Sequence, residues 1–324
     1  MMADSRLPDP TVRRDRPWWL WPHLLSWDAV AVGVVWQLAL AKAFALPWHV
    51  GYAIALGATL AGIYMGDRRL DVRSGRPIPA TDRHAFHAEF RIFTAIFPVI
   101  FLLIGLFAAV WTLPPSVLAT GAILGVLMLA YAWSVHGSSA TAGEVSGSGA
   151  TRRWRLPRVP KEWLVGGLFT LGVAMPLLAA DLTLMPLRLV MMLPTLVAFF
   201  ALVIVNCRLI SSWETDRTVE FEELRNWGCL VLALPMVPMI VSGFLPFTKE
   251  AMAIRGTGIP DDLRSFSDFF RILQLAPVVF MPFILSMNLA MLGLFLLDSV
   301  RGRCSPRLLR VLADVVLLTP IIGC

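Results

Sequence analysis

The chain has 324 residues, 57% of them hydrophobic and only 15% charged. A soluble domain carries about 25% charged residues, so one soluble core is excluded, lipid is the solvent, and the spanning segments must be helices or a closed barrel. The net charge of +6 needs no nucleic-acid partner, because Arg-rich loops on the cytoplasmic side of a membrane account for it.

Residues 1–26 read as a polar, Arg-rich cytoplasmic tail with no cleavage site for a signal peptide. Trp18, Trp19, Trp21 and Trp27 fit an aromatic belt where the chain first meets the membrane. The rest, 27–324, reads as one membrane domain. It contains nine apolar segments: 27–46, 48–66, 91–112, 115–135, 163–180, 187–210, 226–246, 272–297 and 308–323. Their length suits spanning helices rather than barrel strands, and the last is short enough to be re-entrant. Pro47, Pro114–Pro115 and Pro186 mark short, nearly uncharged turns.

The other connections are charged. Most of the 28 basic residues fall in the tail or after segments two, four, six and eight. With nine spans and a cytoplasmic N-terminus, all of these lie on one side, as in a bacterial inner membrane. The loop after segment seven is mixed and slightly acidic, as an outside loop should be. Residues 137–151 are rich in Gly, Ser, Ala and Thr and read as the start of a flexible cytoplasmic loop over 137–161. Its end, Arg152 to Trp163, is basic and aromatic and suits anionic headgroups. Cys207, Cys229, Cys304 and Cys324 form no CxxC and join no His cluster, which leaves zinc and redox chemistry unsupported.

Two polar segments carry candidate chemistry. In residues 63–87, Asp67 and Asp71 are four apart, so a helix puts both carboxylates on one face. Such a pair can hold Mg²⁺ together with substrate phosphates, and Arg68, Arg69, Arg73 and Arg76 surround it. The alternative is a solvated helix end where Asp and Arg satisfy one another. In residues 206–227, Asn206 is followed by Glu214 and Asp216. On an ideal helix these two acids point roughly 80° to either side of Asn206, and they converge only if the helix ends or bends near Trp213. The alternative is an amphipathic helix with Glu214–Arg217 and Glu222–Arg225 pairs. Together the segments resemble a repeat presenting acidic groups to one cavity, an arrangement that transport folds also use.

These features resemble the UbiA family of intramembrane prenyltransferases. The family's first motif, NxxxDxxxD, stands here as Ile63-xxx-Asp67-xxx-Asp71, followed by Arg76-Pro77-Ile78-Pro79. Its second, Asn- and Asp-rich motif is matched by Asn206, Glu214 and Asp216, with Cys207 and Ile210 where carboxylates are usual. Pro160-Lys161-Glu162-Trp163 is also family-like, and Tyr64-xx-Asp67-Arg68-xx-Asp71 with Arg83-His84-x-Phe86-His87 marks a divergent subgroup. The resemblance implies an all-α bundle of about nine transmembrane helices that transfers a polyprenyl group from its diphosphate to a lipophilic acceptor. It implies Asp67 and Asp71 as catalytic residues. It implies Mg²⁺ held by Asp67, Asp71, Asn206, Glu214 and Asp216. Arg68, Arg76, Lys161 and Arg217 become the diphosphate contacts. A lipid-binding or transport protein on the same scaffold is the rival, and a polar path toward the outer face would mark it.

Four other residues are read more plainly. Asp314 inside the last segment reads as one half of a structural pair with a nearby arginine, the alternative being a place in a cavity. Lys42 snorkels to the interface. His84 and His87 are taken as surface histidines of the basic loop.

Overall fold

A computed structural model of the chain describes residues 17–44, 46–73, 86–87, 89–136, 160–179, 185–215, 221–237 and 264–323. Among these residues the secondary structure is helical throughout, with no strand. Nine longer helices stand in chain order: α1 Trp27–Ala43, α2 Val50–Arg73, α3 Phe93–Thr112, α4 Pro115–His136, α5 Lys161–Val173, α6 Met185–Thr215, α7 Phe221–Ala233, α8 Arg264–Ser299 and α9 Pro306–Val316. Each overlaps one of the nine apolar segments.

The ends differ from expectation for identifiable reasons. α2 continues to Arg73, so Asp67 and Asp71 lie inside it rather than beyond it. α5 stops at Val173, and a short turn Met175–Leu178 follows around Pro176, which has no N–H to continue the ladder.

By length and composition, four helical stretches are apolar enough to cross a membrane: Phe93–Thr112, Pro115–Trp133, Met192–Thr215 and Phe280–Ser299. A fifth arises if Trp18–Leu24 and Trp27–Ala43, bent by 68°, count as one span. α5, α7 and α9 have 13, 13 and 11 residues. At about 1.5 Å per residue these are shorter than a hydrocarbon core of about 30 Å. The bend before α1 forms at Ser26, which sits at φ 59°, the left-handed region. His23 Nδ1 donates to Asp28 Oδ2 at 2.5 Å and so ties the two sides of the bend together.

The helices gather into two compact units, residues 1–34 with 49–168 and residues 35–48 with 169–324. In the first unit, α2 and α3 approach closely through glycine. A Cβ on Gly105 would lie 2.7 Å from Thr59 Oγ1 and 3.2 Å from the Ala55 carbonyl oxygen. One on Gly62 would lie 2.6 Å from Leu102 Cγ and 2.9 Å from the Pro98 carbonyl oxygen. Small residues at such contacts are what lipid favours, since tails are as apolar as side chains and only close packing is gained. Gly105→Val is therefore expected to force the pair apart and to cost about 1–3 kcal/mol. It would appear as a lower unfolding midpoint in detergent, and an unchanged midpoint would refute the close approach.

The outer surfaces of α3 and α4 are apolar. Val99, Leu103, Leu106, Phe107 and Val110 on α3 and Val126 and Leu129 on α4 are exposed. So much exposed hydrocarbon is rare on a soluble monomer and is the natural state in a bilayer. Trp111 is 79% exposed at the turn between the two helices, and Trp133 is 78% exposed near the far end of α4. The hairpin thus carries an aromatic residue near each end, about one hydrocarbon thickness apart by helical rise. Trp18, Trp21 and Trp27 are exposed as well, in keeping with the belt expected at the first segment.

The second unit is built around Trp36. Its indole is fully buried, and its Nε1–H donates to the Leu317 carbonyl at 2.8 Å. Its ring lies 4.9 Å from Phe199 on α6 and 5.6 Å from Phe283 on α8, centroid to centroid. Phe169 packs on the same Phe199 at 6.3 Å. This aromatic cluster fixes the relative heights of α6 and α8 within the unit.

Candidate functional site

In the first unit, Asp67 and Asp71 occupy the last turns of α2 on one face, as their spacing required. Both are half-buried. Arg68 Nη1 lies 3.8 Å from Asp71 Oδ2, a long and incomplete pairing, and the Arg68 Nε–H is buried with no hydrogen-bond partner among the described residues. The charges of Asp67, Asp71, Arg68 and Glu162 all bear on the hydroxyl of Tyr131. α2 and α4 touch in this unit, and Glu162 at the start of α5 is within electrostatic reach of Tyr131.

Asp67 and Asp71 offer hard carboxylate oxygens, the donor type that Mg²⁺ takes, but with Glu162 they do not close into a three-ligand cluster among the described residues. Ile63, one turn before Asp67, adds an apolar side chain and no ligand. Lys161 is the first residue of α5, and Arg76 lies outside the described residues.

Tyr131 and Glu162 were not singled out for chemistry by sequence reasoning. Tyr131 is one of only three tyrosines, but near the end of an apolar segment a tyrosine reads as an interfacial anchor. Glu162 stood within the family-like Pro160–Trp163 stretch without a role of its own. No spacing rule links either residue to Asp67.

His87 corrects an expectation. It is fully buried, not a surface histidine. Its carbonyl accepts from Thr94 Oγ1 at 3.3 Å. Its neighbour Phe86 meets Trp21 edge-on at 5.9 Å and Phe90 at 4.8 Å. The Phe86 ring lies 5.7 Å from the imidazole of His87. His84 lies outside the described residues.

In the second unit, α6 stays helical through Trp213 to Thr215, so the divergence expected on a regular helix stands. Asn206 and Glu214 point to different sides of α6. Glu214 forms an ion pair with Arg310 of α9. Trp213 Nε1 donates to Asp298 Oδ1 on α8 at 3.0 Å. Arg208 Nη2 lies 3.5 Å from Glu223 Oε1 on α7, and Arg225 lies 4.0 Å from Glu222, the i,i+3 pair expected from sequence. The last turns of α6 are thus tied to three helices. Asn206 Oδ1 is buried with no hydrogen-bond partner among the described residues. Cys207 and Ile210 are half-buried, while Asp216 and Arg217 lie outside the described residues.

The end of α6 presents a guanidinium where the sequence pattern had suggested a metal. Comparison of the chain with protein-family models, with curated proteins and with solved structures finds no match.

Proposed function

We propose that this protein is a UbiA-like intramembrane prenyltransferase, crossing the membrane about nine times with its N-terminus in the cytoplasm of a bacterial cell. It transfers a polyprenyl group from the diphosphate to a lipophilic acceptor. The observation that carries the reading is that Asp67 and Asp71 share one face at the end of α2 with Arg68 beside them, in electrostatic reach of Tyr131 and Glu162.

Asp67 and Asp71 would hold Mg²⁺, which supplies positive charge to the departing diphosphate. Arg68, with Arg76 and Lys161, offers N–H donors to the diphosphate oxygens as the bond from the allylic carbon breaks and the electron pair leaves with oxygen. The phenol of Tyr131 is a neutral donor set among these charges. The acceptor's electron pair then bonds to the prenyl cation, and the acceptor gives up a proton. Exclusion of water by the surrounding helices keeps the cation from being hydrolysed.

A second reading, a lipid-binding or transport protein, draws on the second unit. Glu214 is paired with Arg310 there. Gln37 and Thr170 are nearly fully buried, and Gln37 Nε2 and Thr170 Oγ1 have no hydrogen-bond partner among the described residues. Unsatisfied polar groups inside an apolar bundle are costly, and they are typical of a hydrated path.

Purified protein incubated with radiolabelled geranyl, farnesyl and geranylgeranyl diphosphates, Mg²⁺ and a membrane lipid extract separates the two readings. The expected result is a labelled, organic-soluble product distinct from the free prenols, lost in Asp67→Asn. No product from any donor favours the second reading.

A further inference from the structure

The exposed residues of the lower part of α8 fall on one face. Met281, Leu285, Leu289, Leu292 and Leu296 are all exposed, at steps of three and four, a single stripe on a helix. From Met281 to Leu296 the stripe runs about 22 Å by helical rise, most of a hydrocarbon core. The chain then turns tightly: the Arg301 N–H donates to the Asp298 carbonyl at 3.2 Å, and the Arg303 N–H to the Val300 carbonyl at 2.8 Å. α9 begins after Ser305, whose Oγ accepts from the Leu308 N–H.

This turn places Arg301, Arg303 and Arg307 within seven residues. Arg303 and Arg307 are exposed and Arg301 is half-buried. The nearby carboxylates are already engaged, Asp298 by the Trp213 indole and Glu214 by Arg310. Arg301 and Arg303 form no ion pair among the described residues. A stripe that needs acyl chains therefore runs directly onto a turn that carries Arg301, Arg303 and Arg307.

We infer that the turn between α8 and α9 is a binding site for the headgroup of an anionic phospholipid. The acyl chains lie along the Met281–Leu296 stripe, and the guanidiniums of Arg301, Arg303 and Arg307 meet the phosphate. Charge complementarity and depth select this occupant. A membrane phospholipid offers a long apolar tail and an anion at that separation, and juxtamembrane arginines are drawn to anionic leaflets.

The test uses the full chain in nanodiscs of phosphatidylcholine alone or of phosphatidylcholine with one-third phosphatidylglycerol, reading the unfolding midpoint. Phosphatidylglycerol should raise the midpoint of the unsubstituted protein. R301Q/R303Q/R307Q should keep less than half of that rise, whereas Arg225→Gln, which removes an exposed arginine on α7, should keep all of it. Inorganic phosphate added to phosphatidylcholine discs should give no rise. A rise kept in full by the triple variant, absent from the unsubstituted protein, or reproduced by inorganic phosphate overturns the assignment. Should the triple variant fail to fold, Arg303→Gln alone is read the same way. Partial loss of the rise supports the site, and full retention refutes it.

Discussion

Asp71→Asn is expected to remove most of the stabilisation that Mg²⁺ and geranylgeranyl diphosphate confer together. Asp67 and Asp71 lie one turn apart on α2, and Asp71 Oδ2 lies 3.8 Å from Arg68 Nη1. Two neighbouring carboxylates repel, and a divalent ion bridged to a diphosphate relieves that repulsion, so the two ligands should stabilise the fold more together than singly. Binding to the native state adds RT ln(1 + [L]/Kd), about 2.7 kcal/mol at a hundredfold excess over Kd. The amide preserves the shape of Asp71 and deletes one charge, which makes the loss a test of charge rather than packing. Glu214→Gln should leave the ligand-induced shift nearly intact, because Glu214 is engaged with Arg310. The measurement is a thermal shift in detergent with each ligand alone and with both. If the unsubstituted protein shows no joint stabilisation, the prenyltransferase reading fails and only the helical scaffold is left.

Helix positions were legible in the sequence because apolar runs punctuated by proline and arginine are a physical requirement of a chain in lipid. The one-face placement of Asp67 and Asp71 was legible for a similar reason, since four residues make about one turn. Three features were not. The break at Ser26 depends on a left-handed residue that is not glycine and on His23 reaching Asp28. The burial of His87 depends on Trp21, far away in sequence, closing over Phe86. The partner of Glu214 is Arg310, almost a hundred residues away, whereas local reasoning offered Arg217 three residues on. The first miss is a local backbone conformation that its residue types do not specify, and the last two are long-range contacts, which periodicity and spacing do not encode. The placing of Asp67 and Glu162 within electrostatic reach of Tyr131 belongs to the same class, since the three residues stand on three different helices.

Trp36→Ala is expected to be the most destabilising single substitution in the second unit. The indole is fully buried and touches Phe199 and Phe283. Its Nε1–H satisfies the Leu317 carbonyl at 2.8 Å, and that carbonyl lies just past the last turn of α9. In a soluble core, Trp→Ala costs about 3–5 kcal/mol from lost transfer energy plus the cavity left behind. In lipid the transfer part shrinks, because the unfolded reference is also apolar. What persists is the lost packing around the ring and an orphaned carbonyl, so the effect should fall near the lower end, about 3 kcal/mol. Trp36→Phe separates the two contributions: it keeps a ring against Phe199 and Phe283 and removes only the donor, at about 1–2 kcal/mol. Unfolding midpoints in the same detergent for the two variants and the unsubstituted protein provide the comparison. If Phe is as damaging as Ala, the hydrogen bond to Leu317 rather than the aromatic cluster holds the unit together. If neither lowers the midpoint, Trp36 is not at the centre of a packed core.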